Sequence, residues 1–335
     1  MAFDNIKLEK GMYHEGSKPF AQVLEELDPS EAYKGTVLEG TDAFQRQLKR
    51  FGIRVKGPIS DPVEKFFSTF ESSVLFPEFI SRIVRQGAEE NNILPSMVAT
   101  VTKIDGMDYR SIFSTADDKD KALADVAEGA SIPATSIRTR DSVTKLRKRG
   151  RMLIASYEAL RFQKLDLFSV MLRQIGAYIQ RAHLADAVDL ISKEAETLEV
   201  GTAPITTGTT DFSYDALIDF WTQFHPYEVS TLLVGGSAMT KLLKLTEFQN
   251  PATGLNFQGT GKLTTPIGAE LFRTDAVQGD AMIALDRRYA LEMVQAGDIT
   301  VEYDKLIDRQ LERAAITSIC GFSMLFKDAA KVLEL

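Results

Sequence analysis

The residues of this chain that could do chemistry are few and far apart. Thr260-Gly261-Lys262 invites a phosphate-binding reading, because a glycine-rich loop closing on a lysine can wrap phosphates with backbone N–H groups. That pattern needs glycine where Asn256 stands and serine or threonine where Leu263 stands. A dinucleotide-binding turn fails as well, since Gly259-Thr260-Gly261 is followed by Thr264 at the place of the third glycine. The segment reads as a surface loop. The single cysteine, Cys320, cannot form an intrachain disulfide and lies among Ile316, Ile319 and Phe322, the setting of a buried structural thiol. His14, His183 and His225 belong to no metal-binding spacing. The acidic pairs Asp186/Asp189 and Glu194/Glu196 lack an accompanying histidine, nucleophile or aromatic platform, which leaves them as solvated helix faces. No catalytic, metal or cofactor-binding set emerges, and no cofactor is expected.

The densest charge signal is basic: Lys145, Arg147, Lys148, Arg149 and Arg151. Such a run can track phosphates, but in a strand-forming segment alternate residues face opposite sides. With 47 acidic against 39 basic residues the chain carries a net charge of -8, which disfavours broad adhesion to phosphate backbones. The run is better matched to acidic segments of a neighbouring subunit, and the charged stretch that holds Asp117 and Asp118 is the expected counterpart.

The elements that must carry these residues follow from periodicity. Hydrophobic residues at 44% and charged residues at 26% indicate a folded globular chain. The first sixty residues hold Gly11, Gly16, Pro19, Pro29, Gly35, Gly40, Gly52 and Pro58, and read as an extended arm interrupted by two short helices, Pro19 to Leu27 and Asp42 to Phe51. Helices this short need a partner surface. Phe20, Leu24, Phe44 and Phe51 are therefore expected to clamp neighbouring subunits. A more amphipathic segment runs from Asp61 to Gly87, with Pro77 ending or kinking it. Ser96 to Ser156 reads as a long two-stranded excursion, β-rich at Met97 to Ile104 and at Thr139 to Ala155, with a charged tip. A hairpin of this kind exposes unpaired edges, which neighbouring copies would cover.

The strongest helical signal spans Asp166 to Lys193, a helix of about 40 Å, along which Phe168, Met171, Leu172, Ile175 and Ile179 share a face. Beyond the Gly/Thr-rich Val200 to Thr210 comes an α/β region: a helix at Phe212 to Phe224, a buried strand at Thr231 to Val234, and a helix at Ser237 to Leu245. Asn250 to Pro266 is a loop. Strands at Glu270 to Val277 and Ala281 to Asp286 are joined by a turn at Gln278-Gly279-Asp280, and alternation resumes at Ile299 to Tyr303. Leu306 to Cys320 and Phe322 to Leu333 mix helix and strand signals. The longest uncharged stretch near the C-terminus, Ala314 to Phe326, is too short to cross a bilayer, so no membrane partner is expected. The N-terminal residues lack the apolar core of a secretory signal, which implies cytoplasmic synthesis.

The order of these segments resembles the Hong Kong 97-like fold of tailed-phage major capsid proteins. Arg149-Gly150-Arg151-Met152-Leu153-Ile154-Ala155-Ser156-Tyr157-Glu158-Ala159-Leu160 resembles that family's return strand leading into its spine helix. Thr231 to Val234 with the helix through Leu243 resembles the strand and short helix of its A-domain. Asp280 to Ala290 is similar to the strand and Asp-containing turn that lead back to the P-domain, and Phe326 to Leu333 to the usual ending. The resemblance implies an α+β fold with an N-terminal arm over residues 1–92, an E-loop hairpin over 93–156, a P-domain with spine helix over 157–198 and 287–335, and an A-domain over 199–286. It also implies a head protein, not an enzyme, that self-assembles into hexamers and pentamers of an icosahedral shell around phage double-stranded DNA, without sequence-specific binding. Portal, scaffold or decoration proteins would be its other partners, and the virion its location, after assembly in the bacterial host. Some members weld their shells through an E-loop lysine and a P-domain asparagine. No asparagine follows Asn256 here, so Lys103, Lys119 and Lys121 lack that acceptor. With the sequence starting at Met1, a cleaved N-terminal segment is not expected. The alternatives are an encapsulin-like nanocompartment shell, which shares the fold, and a soluble α/β enzyme, suggested by Leu232-Leu233-Val234-Gly235-Gly236 at a strand-to-helix junction.

Overall fold

A computed structural model of the chain describes residues 2–13, 18–90, 92–114, 125–129, 131–132, 137–199, 213–249, 265 and 267–334. The described helices are α1 (Phe20–Leu27), α2 (Ala43–Arg50), α3 (Phe70–Val74), α4 (Phe76–Glu90), α5 (Tyr157–Phe162), α6 (Leu165–Glu194), α7 (Tyr214–Thr222), α8 (Gly236–Lys244) and α9 (Thr246–Gln249). The strands are β1 (Val98–Ile104), β2 (Ile112–Ser114), β3 (Ile137–Thr139), β4 (Arg147–Ser156), β5 (Glu196–Glu199), β6 (Thr231–Val234), β7 (Glu270–Arg273), β8 (Ala281–Leu285), β9 (Leu291–Ala296), β10 (Thr300–Leu306), β11 (Leu311–Met324) and β12 (Ala330–Glu334). The chain divides into two units, the first comprising 1–91, 149–180 and 298–318, the second 92–148, 181–297 and 319–335.

In the first unit, α4 crosses the N-terminal half of α6 with backbone against backbone. A Cβ on Gly176 would collide with the carbonyl oxygen of Val84 and lie 2.7 Å from the amide of Ala88, and a Cβ on Gly87 would collide with the backbone of Arg173. Only glycine permits that approach. Pro77 is the second residue of α4, where its missing N–H costs nothing, so it starts this helix instead of kinking a longer one. Around the crossing, Phe66, Phe76, Phe79 and Phe168 pack with Tyr303; Phe66 and Phe79 lie 5.2 Å apart and Phe76 meets Tyr303 edge-on at 5.5 Å. The antiparallel pair β10–β11 supplies Ala314 and Ile316 to this core, and β4 joins β11 to supply Leu153 and Ala155.

The N-terminal segment is not an extended arm. Phe20, Leu24 and Phe44 are buried in the core of their own unit, and Phe51 is partly buried against it. The clamp expectation is corrected at Phe20, Leu24 and Phe44, because a side chain already buried in its own chain has no surface left to offer a neighbour, while Phe51 keeps part of its surface. The physical reason is that the partner surface which short helices need is supplied within the same unit: α1 and α2 pack on each other and on residues 2–13, and α2 meets α4 through Arg82. A buried ion pair fixes the segment. Arg46, fully buried on α2, donates to the Asp28 carboxylate at 2.5 Å, to Ser30 Oγ at 3.1 Å and to the carbonyls of Thr41 and Asp28, and its guanidinium lies 4.3 Å from the centre of the Tyr33 ring. The Tyr33 hydroxyl donates to the other Asp28 oxygen at 2.6 Å. Asp42 caps α2 by accepting from the Gln45 amide, and Arg82 of α4 reaches both Asp42 and Glu78.

In the second unit a sheet in the order β5-β12-β8-β6-β7 carries helices on both faces. Alternation along its strands sends Leu233, Ile283, Leu285 and Val332 to one side, against Leu184, Val188 and Ile191 of the C-terminal half of α6. Leu232, Val234, Met282 and Ala284 point to the other, against Leu217 and Phe220 of α7 and Leu242 of α8. β7 and β8 do not form a hairpin: β6 lies between them, parallel to β7 and antiparallel to β8. Nor, among the described residues, does the excursion pair along its length. β1 pairs in parallel with β9, Thr100 opposite Glu292 and Lys103 opposite Gln295, while β2 and β3 make a three-residue antiparallel ladder further out. The ambiguous segment Leu306 to Cys320 resolves as the last residue of β10, a 3-10 turn at Ile307–Arg309 and β11, whose burial alternates residue by residue up to Cys320.

Gly176→Ala should cost about 3 kcal/mol or more, since the backbones would have to separate in a packed core. Urea unfolding of the isolated subunit measures it. Arg46→Met should cost about 3–5 kcal/mol by stranding Asp28, seen as a lower unfolding midpoint with native secondary structure retained before the transition.

Candidate functional site

The basic run lies where the excursion returns into β4, and the structure divides it. Arg147 donates to Asp186 and lies 3.7 Å from Asp189, both on α6. Within its own unit, then, Arg147 already has acidic partners on α6. Arg149 is partly buried, while Lys145 and Arg151 are exposed. Asp117 and Asp118 lie outside the described residues, as do Lys119, Lys121 and Thr260 to Lys262. Hydrogen bonding to Lys193, above all, holds the Asp189 carboxyl below its ordinary range, with Arg147 adding to the effect. Further along the returning arm, Arg140 donates to the carbonyl of Met324 and lies 3.5 Å from Glu194.

The root of the excursion is held by Glu292, a carboxylate on β9 that is only 3% exposed. It accepts from Thr102 Oγ1 and the Tyr109 hydroxyl, both at 2.6 Å, and from Ser111 Oγ. Burial and this carboxylate push the Tyr109 phenol above its ordinary range, which keeps it a donor. The backbone oxygens of Tyr109 and Ser111 accept in turn from the amides of Thr144 at 2.7 Å and Arg140 at 2.8 Å, on the returning arm. Sequence reasoning missed this cluster. The one signal was a charged residue inside the apolar run Leu291 to Val294.

A second buried carboxylate organises the turn after β8. Asp286 accepts from the amides of Glu228 and Arg288 at 3.1 and 3.0 Å and from two nitrogens of the Arg288 guanidinium at 3.1 and 2.9 Å. Burial pushes its carboxyl up, but these bonds outweigh burial and hold it below the usual aspartate range.

Large apolar side chains stand in solvent at scattered positions such as Leu27, Ile59, Phe70 and Trp221, and in greater number on two stretches of the chain. On the excursion these are Met107, Ile112, Val126, Ile132 and Val143, with Ile132 76% exposed. In the first unit they are Met152 and Ile154 on β4, Phe162 on α5, and Leu167, Val170, Met171 and Tyr178 on α6. Met171, expected on the buried stripe, is half exposed because α6 is apolar on both sides over its first four turns. The clefts look nothing like reaction chambers. One of about 400 Å³ in the first unit is lined by Glu64, Phe67, Tyr157, Glu158, Arg161, Gln310 and Glu312, and one of about 460 Å³ in the second by Trp221, Glu228, Val229, Ser230, Ile267, Gly268, Glu270 and Arg287. Neither lining joins a nucleophile to a histidine base. Cys320 is buried, no group of residues suited to a metal ion occurs among the described residues, and no described helix is long and apolar enough to cross a membrane.

The family model of phage capsid protein matches residues 139–312, just over half of the chain. The chain belongs to the phage capsid protein family. As a phage capsid protein it is a structural subunit of a virion shell. No curated protein matches it in sequence. Among solved structures, this capsid protein is similar to the capsid of a native GTA particle (TM-score 0.54, 13% identity, 71% of this chain and 88% of that one). It is also similar to the virus-like particle from Pyrococcus furiosus (0.51, 13%, 77% and 99%) and to Gordonia phage Cozz (0.51, 14%, 73% and 86%). At these identities the likeness is one of fold, and the fold of this capsid protein is the α+β Hong Kong 97-like one. Membership of the family favours a structural subunit over the soluble-enzyme reading of Leu232 to Gly236.

Asp286 gives the capsid protein a pH signature. Its folded carboxyl titrates below its unfolded value, so its contribution is complete above the ordinary aspartate range near ~4 and is lost as pH falls through the folded value. Asp286→Asn should cost about 1–3 kcal/mol at pH 7, and the gap between variant and native unfolding curves should narrow as pH drops from about 5 to 3.

Proposed function

We propose that this chain is the major head subunit, that it assembles into hexamers and pentamers of an icosahedral shell, that the shell encloses double-stranded DNA, and that it catalyses no reaction. The observation that supports this most is the pair of exposed apolar surfaces, one on the excursion and one on β4, α5 and the outer side of α6. Exposed large side chains grouped in this way mark interaction surfaces. Among the described residues the excursion pairs beyond its root over a three-residue ladder, and a ladder of that length does not keep a hairpin's shape alone. Laid across an adjacent subunit, its apolar side chains would leave water, each contributing about 1.5–3 kcal/mol before ordering entropy is subtracted. Lys145 and Arg151 are exposed and in this reading meet acidic side chains of the neighbour, and the net charge of -8 argues against a general hold on DNA. Cohesion in this reading is noncovalent, and portal, scaffold or decoration proteins complete the particle.

Deleting residues 116–130 should leave a subunit that folds and unfolds cooperatively but does not form shells. Sedimentation and electron microscopy of the purified protein decide it: shells of normal size from the deleted chain would remove the excursion from assembly.

A further inference from the structure

Burying a carboxylate is costly, and the usual compensation is a cation. The hydrogen-bond partners of Glu292 are instead three neutral hydroxyls, those of Thr102, Tyr109 and Ser111. A lysine or arginine on a long stem can satisfy a carboxylate from many positions. Short hydroxyl side chains can do so only if their backbones are held in place. These hydroxyls sit on β1 and on the outgoing arm of the excursion, and the same Tyr109 and Ser111 bond the returning arm through their carbonyls. One carboxylate on β9 therefore ties both arms to the sheet, and loosening either arm leaves a buried charge short of donors, which makes the lock cooperative.

We propose that Glu292 is a positioning residue for assembly: with Thr102, Tyr109 and Ser111 it fixes the direction in which the excursion leaves the sheet, and so where its apolar side chains meet a second copy of the chain. This rests on the shell reading above. The lock touches no neighbour itself. Its contribution is preorganisation, because an excursion already held at the correct angle does not have to be ordered at each contact.

The test uses the full-length chain with Glu292→Gln, which keeps the shape but turns one acceptor into a donor facing hydroxyls, and Tyr109→Phe, which removes one donor and keeps the ring. Leu24→Ala, buried in the first unit, serves as a control of equal or larger thermal destabilisation. Amide hydrogen exchange is followed at Arg140 and Thr144 in the unassembled subunit, and the concentration needed for assembly is followed by light scattering. Both lock variants should speed exchange at those two amides about tenfold or more and raise the assembly concentration by a similar factor, as expected for a lost bond to a charged acceptor. Leu24→Ala should do neither. Unchanged exchange in both variants overturns the lock. Faster exchange with native assembly overturns its positioning role, as does a Leu24→Ala chain that assembles as poorly as the lock variants. If Glu292→Gln does not fold, Tyr109→Phe carries the same outcomes. A native chain that never assembles overturns the shell reading and the positioning role together, while the exchange measurement still decides whether the lock exists.

Discussion

The crossing of α4 over α6 at Gly87 and Gly176 is the constraint from which the first unit is built. Side chains usually keep helix axes 8–10 Å apart. Here each glycine meets the other helix's backbone, so the two axes come closer than side chains would allow. That contact fixes one face of α6, and the phenylalanine cluster closes around it from three directions: Phe66 before α3, Phe76 and Phe79 on α4, and Phe168 on α6. The same hydrophobic core takes in Phe20, Val23 and Leu24 of α1 and Phe44 and Leu48 of α2. The Arg46–Asp28 pair then sets the path between those helices, since the guanidinium has its carboxylate, hydroxyl and carbonyl acceptors only when the turn around Thr41 is closed.

Two glycines of the β-structure repeat the principle of close approach. A Cβ on Gly150 of β4 would lie 2.8 Å from the carbonyl of Ile316, and one on Gly321 of β11 would lie 2.6 Å from the carbonyl of Lys145. The segment entering and forming β4 is thus seated against β11 in each unit by a residue without a side chain. Gly150 was visible in the sequence inside a strand-like run, where glycine often marks a close backbone approach.

Elements whose signal is local were legible in the sequence. The helix expected at Asp166 to Lys193 is observed as Leu165–Glu194, and the buried strand at Thr231 to Val234 is observed with those bounds. Partners were not legible, because pairing is a property of the folded chain. Nothing in Val98 to Ile104 announces that it will lie parallel to Leu291–Ala296, and nothing in Gln278 to Asp280 announces that β6 will insert between the strands it joins. The same limit hid the fate of the N-terminal residues. Phe20, Leu24 and Phe44 were correctly seen to need a surface, but whether that surface belongs to the same chain or to another is written in tertiary packing alone. Of the candidate contact residues, Arg147 was claimed by α6, whereas Lys145 and Arg151 stayed in solvent.

The two apolar surfaces that remain exposed differ from each other, and this shapes what assembly they can support. A single self-complementary patch gives a closed pair related by a two-fold axis, whereas two unlike patches that fit each other give head-to-tail contacts, which close into rings when the rotation allows. In the proposed shell the excursion of one copy would lie on another part of the next, so every copy would both give and receive a surface, as a hexamer or a pentamer requires. The same side chains pass from five-fold to six-fold surroundings only if the contact tolerates a small change of angle. Apolar burial is non-directional and tolerates it. A hydrogen-bonded root such as that of Glu292 does not, and the division of labour follows: direction is set inside the subunit by polar groups of fixed geometry, and cohesion between subunits is left to apolar side chains that accept more than one neighbour.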